Sequence, residues 1–306
     1  LALDAHVSTR HLSFLETGRS QASRSMVLTL AAALDVPLRD RNTLLLAAGY
    51  APAFAERKLD APEMKSVQKA LQLVLRSHEP YPAFVLDRSW NVLLSNAAHD
   101  QWLELMLPAA ADRSAARNVM RLVFDEALLR PLLRNWHEVA GVLVKRLRRA
   151  LQVPEPTPQL QQLHADILAM PGVKPIAEER TPAKQMDVLI PMQFEFQGQV
   201  LSWFSMIATI GTAQDITLEE LQLESLFPAD EATEQAARKL AHRREEDLWQ
   251  VAECSLRFNL RDNRQTGVRV LCELVVKLGD ILGSPYERQR DRIGMLDDER
   301  QVLAIL

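Results

Sequence analysis

Glycine and cysteine are scarce in this chain, which has ten glycines and two cysteines among 306 residues. Cys254 and Cys272 form no CxxC pair, so the sequence indicates neither a zinc site nor a disulfide framework. We interpret both as buried free thiols of a protein in a reducing cytoplasm. The GxGxxG and GxxxxGKS/T motifs are absent, and with them the glycine-rich loops that bind dinucleotides and phosphates.

Motifs for hydrolytic and metal-dependent catalysis are missing as well. The sequence contains no GxSxG and no HExxH. Its seven histidines are dispersed, and no two of them are three or four residues apart, so no pair of metal ligands is predicted on one face of a helix. We therefore expect a protein that is not an enzyme and that has no metal and no cofactor.

Long apolar runs are also lacking. The longest, at 200–211, is interrupted by Ser202, Ser205 and Thr209 and is too short to cross a bilayer. The content of 47% hydrophobic and 25% charged residues is typical of a soluble globular protein, and the length suffices for two domains. The net charge of −4 excludes a surface coated in positive charge but allows a local basic patch. We expect a cytoplasmic protein with no membrane partner.

The first 24 residues have the pattern of a helix-turn-helix. The apolar residues between Leu1 and Ala5 have helical spacing, and His6 follows where a tight turn is expected. Ser8 is a good N-cap for a second helix over about Thr9 to Thr17, and Gly18 is a typical stop. A short helix, a turn and a second helix in this order predict a helix-turn-helix.

The residue types on the second helix suit contact with DNA. Its exposed face has side chains that form hydrogen bonds with base edges, and the segment after it has arginines and serines that suit phosphate oxygens. The next helix is expected to begin near Ser23 or Ser25, with N–H groups that favour an anion. The residues that we predict to contact DNA are Ser8, Thr9, Arg10, His11, Ser13, Phe14, Arg19, Ser20 and Arg24. On spacing alone, two surface helices of an ordinary helical domain remain the alternative.

The stretch LALDAHVSTRHLSFLETGRS followed by SMVLTLAAALDVP resembles the phage-repressor-like (XRE) helix-turn-helix family. LETGRS is typical of the end of that family's recognition helix, and LAAALDVPLRDRNTLLLAAGYAP is typical of its closing pair of helices. The family has about one and a half helices before the point where this sequence begins. The resemblance therefore implies an N-terminally truncated head that lacks part of its core.

Beyond the head, the pattern predicts helices around a small sheet. Ala83–Leu86 and Asn91–Leu94 form one hairpin signal, and two strands around Gln197–Gly198 form another, with alternation from Val188 to Phe196. Helices are predicted over 63–77, 97–107, 159–169 and a long region from 116 to 151 with breaks near Phe124–Glu126 and Pro131. The segment at 215–228 is predicted as a helix or strand ending at Pro228. The predicted fold class is mainly α with a small antiparallel sheet (α+β).

Three stretches together resemble the ligand-binding domain of MmyB-like regulators, which follows an XRE head in that family. They are HEPYPAFVLDRSWNVLLSNAA, NVMRLVFDEALLRPLLRNW and LSWFSMIATIGTAQDITLEELQLESLFPAD. The resemblance implies a bacterial transcription regulator whose PAS-like domain binds an apolar small molecule, with a fatty acid as the expected ligand. The domains expected are a partial head at 1–56, the sensor domain at 63–232 and a helical tail at 235–306, whose role as a repeat or dimerisation segment is open.

A sensor pocket needs apolar walls and a few polar groups that orient the ligand. Arg121, with Arg130 and Arg134 nearby, suits a carboxylate, because arginine forms a bidentate pair with that group. The residues that we predict to bind the ligand are Phe84, Asn96, Arg121, Phe124, Asn135, Trp136, Phe204 and Met206. The alternative is that the aromatic residues fill a core, the arginines form surface salt bridges and the asparagines cap turns.

The predicted function is a DNA-binding regulator that acts as a homodimer on operator DNA and responds to its ligand. The first alternative is a protein–protein interaction module whose truncated head no longer binds DNA. A third hypothesis is a hydrolase or carrier that acts on lipids. A salt titration separates the first two, because DNA binding weakens steeply with salt whereas binding at an apolar protein interface does not.

Overall fold

The structure is a computed structural model that describes residues 1–153, 156–178 and 190–243. Val188, the two cysteines and the predicted tail after 243 lie outside the described residues. The helices are α1 (Thr9–Glu16), α2 (Arg24–Ala33), α3 (Leu38–Ala47), α4 (Lys65–Ser77), α5 (Ala97–Met106), α6 (Val119–Phe124), α7 (Trp136–Ala150), α8 (Pro158–Ala169), α9 (Val173–Glu178), α10 (Ile216–Glu220) and α11 (231–243). Short 3₁₀ turns lie at Pro62–Met64, Ala115–Arg117 and Arg130–Leu132.

The head comprises α1, α2 and α3. Ser8 caps α1 and Ser23 caps α2, and in each case the hydroxyl accepts a hydrogen bond from the backbone N–H three residues later. Gly18, with φ of +69°, adopts the left-handed conformation predicted for the end of α1. The helix predicted before Ser8 is wrong. Residues 1–7 form only one hydrogen-bonded turn, because His6 enters the left-handed region with φ of +52° and ends it.

The five strands form one antiparallel sheet in the order β2-β1-β5-β4-β3. Their bounds are β1 Ala83–Leu86, β2 Val92–Ser95, β3 Met192–Phe196, β4 Gln199–Ala208 and β5 Gln222–Pro228. The two predicted hairpins are confirmed, and β5, the last strand in sequence, inserts between β1 and β4. The α+β fold class is therefore confirmed.

The two faces of the sheet pack against different helices. The inner face, which includes Phe84, Leu86, Trp203 and Leu226, packs on the main core formed with α5 to α9. The outer face includes Ala83 and packs with α4 and the residue after α10. Because both faces of β1 are covered, alternation along this strand separates two buried environments rather than core from solvent.

The long helical region from 116 to 151 is divided as predicted. Asn118 caps α6 by accepting hydrogen bonds from the N–H groups of Met120 and Arg121, and α6 ends at Phe124. A 3₁₀ turn containing Pro131 follows, and α7 begins at Trp136. At 215–228 both predicted element types are present, because α10 and β5 follow one another with Leu221 between them.

Candidate functional site

The residues predicted to contact DNA are exposed or half-buried in the head. Helix α1 has no buried residue, and Ser8, Thr9, Arg10 and Ser13 are exposed. The Arg10 guanidinium lies 5.4 Å from the centre of the Phe14 ring, one turn along the helix. This cation–π contact holds the guanidinium group beside the Phe14 ring on α1.

The segment between α1 and α2 adds cationic and hydroxyl groups to the same surface. Arg19 and Arg24 are exposed, whereas Ser20 and His11 are half-buried. At the start of α2 the Ser23 hydroxyl accepts a hydrogen bond of 3.2 Å from the N–H of Met26, so one of the N-terminal N–H groups is already satisfied.

The inner face does not bring all the predicted ligand residues together. Phe84 is 6% exposed and lies on the inner face with Trp203. Side chains alternate along β4, and Trp203 lies on the inner face, so Phe204 and Met206 lie on the outer face. Phe204 stacks on Phe227 at 5.4 Å, and Met206 is 59% exposed, so neither lines a pocket with Phe84.

Phe124 and Trp136 form an edge-to-face pair with ring centres 6.1 Å apart. The indole N–H of Trp136 donates to the Val123 carbonyl at 3.1 Å, and the Arg130 guanidinium lies 3.8 Å from the centre of its ring. These contacts join α6 to the start of α7. A ligand-binding role for the pair stays a prediction.

The three polar residues predicted to orient a ligand have partners within the protein. Asn96 caps α5 and also binds backbone groups of Leu75, Tyr81 and Ala83. Asn135 joins the start of α7 to the segment before β3, accepting from the N–H of Gln193 and donating to a carbonyl. Arg121 forms a salt bridge with Asp166 on α8. All three hold elements of the domain together in the structure described.

Glu224 is a buried acid that the sequence interpretation missed. It lies in β5 opposite Phe84 and Ile207, on the inner face of the sheet. Burial raises the pKa of its carboxyl group, while nearby Arg146 and a hydrogen bond with Ser205 act in the opposite direction. In the sequence, Glu224 is the acidic residue within LQLESLF, but the alternation of apolar and polar residues alone would place its side chain in solvent.

Ion pairs join the head to the sensor domain. Arg39 of α3 binds Glu220 of α10 through its Nε atom at 2.7 Å and binds Glu56 through a second nitrogen at 2.9 Å. Arg88, in the turn between β1 and β2, also reaches Glu220, at 3.1 Å. Hydrogen bonding to Arg39 lowers the pKa of the Glu56 carboxyl group, because it favours the ionised form of that group.

Two further contacts continue this junction. The Glu219 carboxylate accepts a 2.7 Å hydrogen bond from the N–H of Leu38, the first residue of α3. Arg57, which follows the head, forms a 2.9 Å salt bridge with the buried Asp215 that caps α10. A carboxylate at a helix N-terminus interacts favourably with the helix dipole. The short helix α10 thus contacts both α3 and the segment that follows the head.

A cavity of about 530 Å³ lies beside these ion pairs, and we call it the junction cavity. Its walls come from the α2–α3 turn and α3 in the head, from the β1–β2 turn, from the end of α7 and the start of α8, from the last two residues of α10, and from the residue after β4 and the first residue of β5. Its size is within the usual range of small-molecule sites, roughly 300–1,000 Å³. It therefore reaches from the inner-face end of the sheet to the surface of the head.

The described residues contain no group of three or more histidine, cysteine or acidic side chains arranged to hold a metal ion. Among the same residues, no helix is long and apolar enough to cross a membrane.

The arrangement is that of a ligand-binding domain joined to a small helical head. Residues 67–240 match the model of the MmyB-like transcription regulator ligand binding domain. The chain belongs to this family, and the match covers most of the predicted sensor range and continues into α11. The family gives the chain a ligand-sensing role in transcription regulation. A search of the curated proteins finds no match.

Proposed function

We propose that this chain is a bacterial, cytoplasmic regulator that binds operator DNA through its head as a homodimer and responds to an apolar ligand such as a fatty acid. The observation that carries the proposal is the exposed polar face of α1 in a chain whose sensor domain belongs to a family of transcription regulators. The resemblance of the head sequence to XRE proteins supports the same reading.

The position of the cationic groups supports a role for α1 in the major groove. Arg10 is on the exposed face of the helix, and Arg19 and Arg24 are on the segment beside it. In proteins of this type the second helix of the motif contacts base edges while flanking residues bind the phosphate backbone. We assign Thr9, Arg10 and Ser13 to bases, and Arg19, Ser20 and Arg24 to phosphates.

The junction supports a response of the head to a ligand. Helix α10 contacts α3, and one residue later the chain enters β5, the central strand of the sheet. A ligand that contacts the sheet or α10 differently in two head positions would shift the population between them.

The experiment is a titration of operator DNA, selected from a random-sequence library, with the protein and with Arg10→Ala. We expect Arg10→Ala to weaken specific binding by about 1–3 kcal/mol, because a base contact by arginine has that magnitude. Arg113→Ala, which removes an exposed arginine of the sensor domain, is the matched control and should bind as the unaltered chain does.

Equal operator affinity of the chain and Arg10→Ala would remove Arg10 from the interface. The salt series distinguishes the alternative function, because affinity for DNA falls steeply as salt rises. If no library sequence is selected and the chain instead binds a protein partner with little salt dependence, the interaction-module hypothesis replaces this proposal.

A further inference from the structure

We propose that the junction cavity is a binding site for a small organic anion, a carboxylate with a compact apolar group. The inference rests on the proposed function in one respect, that the sensor domain responds to a ligand. It adds a site at the boundary with the head and a chemical class for the group that is recognised, and neither depends on whether the head binds DNA.

The charges of the cavity point to an anion at its α7 wall. Arg39 is paired with Glu220 and Glu56, and Arg88 is paired with Glu220, as described above. Arg149 lies one turn after Arg146 at the end of α7, and within the part of the chain that the structure describes its side chain forms no salt bridge or hydrogen bond. A carboxylate beside an arginine forms two strong hydrogen bonds with it.

Arg146 provides a second cation on the same wall. Arg146 interacts electrostatically with the buried Glu224 and shares the α7 wall with Arg149. The acids Asp35 and Asp40 lie on the opposite wall, in the head. The head wall thus has charges of both signs, since Arg39 lies there too, whereas the α7 wall has only Arg146 and Arg149, which orients an anionic group toward α7.

The remaining walls explain why the anion should have an apolar part. Val153, Leu160 and Ala150 line the cavity next to the arginines. Trp90 lines it as well, at 5% exposure, and its indole N–H is buried with no hydrogen-bond partner among the described residues. Because this N–H has no exposed surface, Trp90 contributes the apolar part of its ring to the cavity wall.

The backbone at Trp90 is consistent with a specialised site. Trp90 has φ of +62°, which is uncommon for a bulky residue. The turn is held in this conformation by hydrogen bonds from the N–H of Trp90 to the Asp87 carbonyl and from the Asn118 amide to the Ser89 carbonyl. This restraint fixes the indole as part of the cavity wall.

The test is calorimetric titration of the 306-residue chain with two carboxylates, octanoate and 2-naphthoate, and with their methyl esters. We expect at least one carboxylate to bind and its ester to bind much more weakly. Arg149→Met should weaken carboxylate binding roughly 10- to 100-fold, the usual effect of removing one charged hydrogen-bonding partner. Arg148→Met is the matched control, because Arg148 is adjacent on α7 and does not line the cavity.

The unfolding curves of Arg149→Met and Arg148→Met are measured alongside to confirm that both variants are folded. The proposal is overturned if neither carboxylate binds, if the esters bind equally well, or if Arg149→Met and Arg148→Met have the same effect. These outcomes are independent of the DNA titration, so carboxylate binding that depends on Arg149 in a chain that selects no DNA would reject only the DNA-binding function.

Discussion

Glu224 is the residue whose titration is expected to affect stability most clearly. Burial raises the pKa of its carboxyl group above the ordinary value of 4.5, so the folded protein binds more protons than the unfolded chain between these two pKa values. The free energy of unfolding therefore falls as pH rises from about 4.5 through the raised pKa of the folded state.

Glu224→Gln should remove this loss, since a neutral amide of the same shape pays no cost for ionisation. We expect the variant to gain on the order of 1 kcal/mol relative to the unaltered chain at pH 8 and less at pH 5. Urea unfolding at both pH values measures the difference. Glu195, an exposed acid of β3, provides the control, and Glu195→Gln should change the free energy of unfolding equally at pH 5 and pH 8. If the effect of Glu224→Gln on the free energy of unfolding is the same at both pH values, the prediction is contradicted.

Single residues also show which parts of the site were predictable. The caps Ser8 and Ser23 and the stop at Gly18 follow from the local chemistry of each residue, and the structure confirms them. The environments of Phe204 and Glu224 depend instead on which face of the strand packs against which set of helices. Because side chains alternate along a strand, the sequence predicts that Trp203 and Phe204 lie on opposite faces of the sheet. Only the tertiary fold shows that helices pack against both faces and that Glu224 is buried.

At the scale of elements, Asn96 joins three of them. Its side-chain oxygen accepts from the N–H groups of His99 in α5 and Ala83 in β1, at 3.0 Å each. Its amide group donates to the Leu75 carbonyl in α4 and to the Tyr81 carbonyl before β1. One buried side chain therefore fixes the relative positions of α4, β1 and α5.

Asn96→Ala should lower the free energy of unfolding by about 2–4 kcal/mol, because it leaves several buried backbone groups without partners. Ser23→Ala removes an exposed cap and should cost only about 1 kcal/mol. Chemical denaturation of both variants tests the ranking. Equal costs would mean that Asn96 acts as a helix cap alone.

Element boundaries were predictable to within one or two residues where a cap, a glycine or a proline marks them. Helix α8 and strand β1 begin and end within a residue of their predicted positions. The helix predicted before Ser8 was not correctly bounded, because His6 adopts the left-handed conformation and ends the segment after a single turn. Whether 215–228 was helix or strand could not be decided locally, since it contains both within a short span.

At the scale of the whole molecule, the head is docked through a small number of charged side chains. Arg39 and Glu220 are 181 positions apart in sequence, and no local pattern connects them. Their side chains are 25% and 21% exposed, so water weakens but does not abolish their attraction. Long-range pairings of this kind are the part of the fold that the sequence could not predict.

Arg39→Met should loosen the head without unfolding the sensor domain. Loss of its two acidic partners is expected to cost docking about 1 kcal/mol, which corresponds to roughly fivefold faster proteolysis in the segment that joins the head to α4. Arg24→Met makes the same charge change in the head outside the junction and should leave the cleavage rate unchanged. Equal rates for the two variants would show that Arg39 does not restrain the head.

The exposed helix α1 and the docking helix α3 divide the head into two independent surfaces. Substitutions at Thr9, Arg10 and Ser13 touch neither the ion pairs of Arg39 nor the walls of the junction cavity. The residues on the outward face of α1 can therefore be replaced while the head stays docked on the sensor domain. Under the proposed function, chimaeras that differ only in these three positions would share one ligand response and bind different operators.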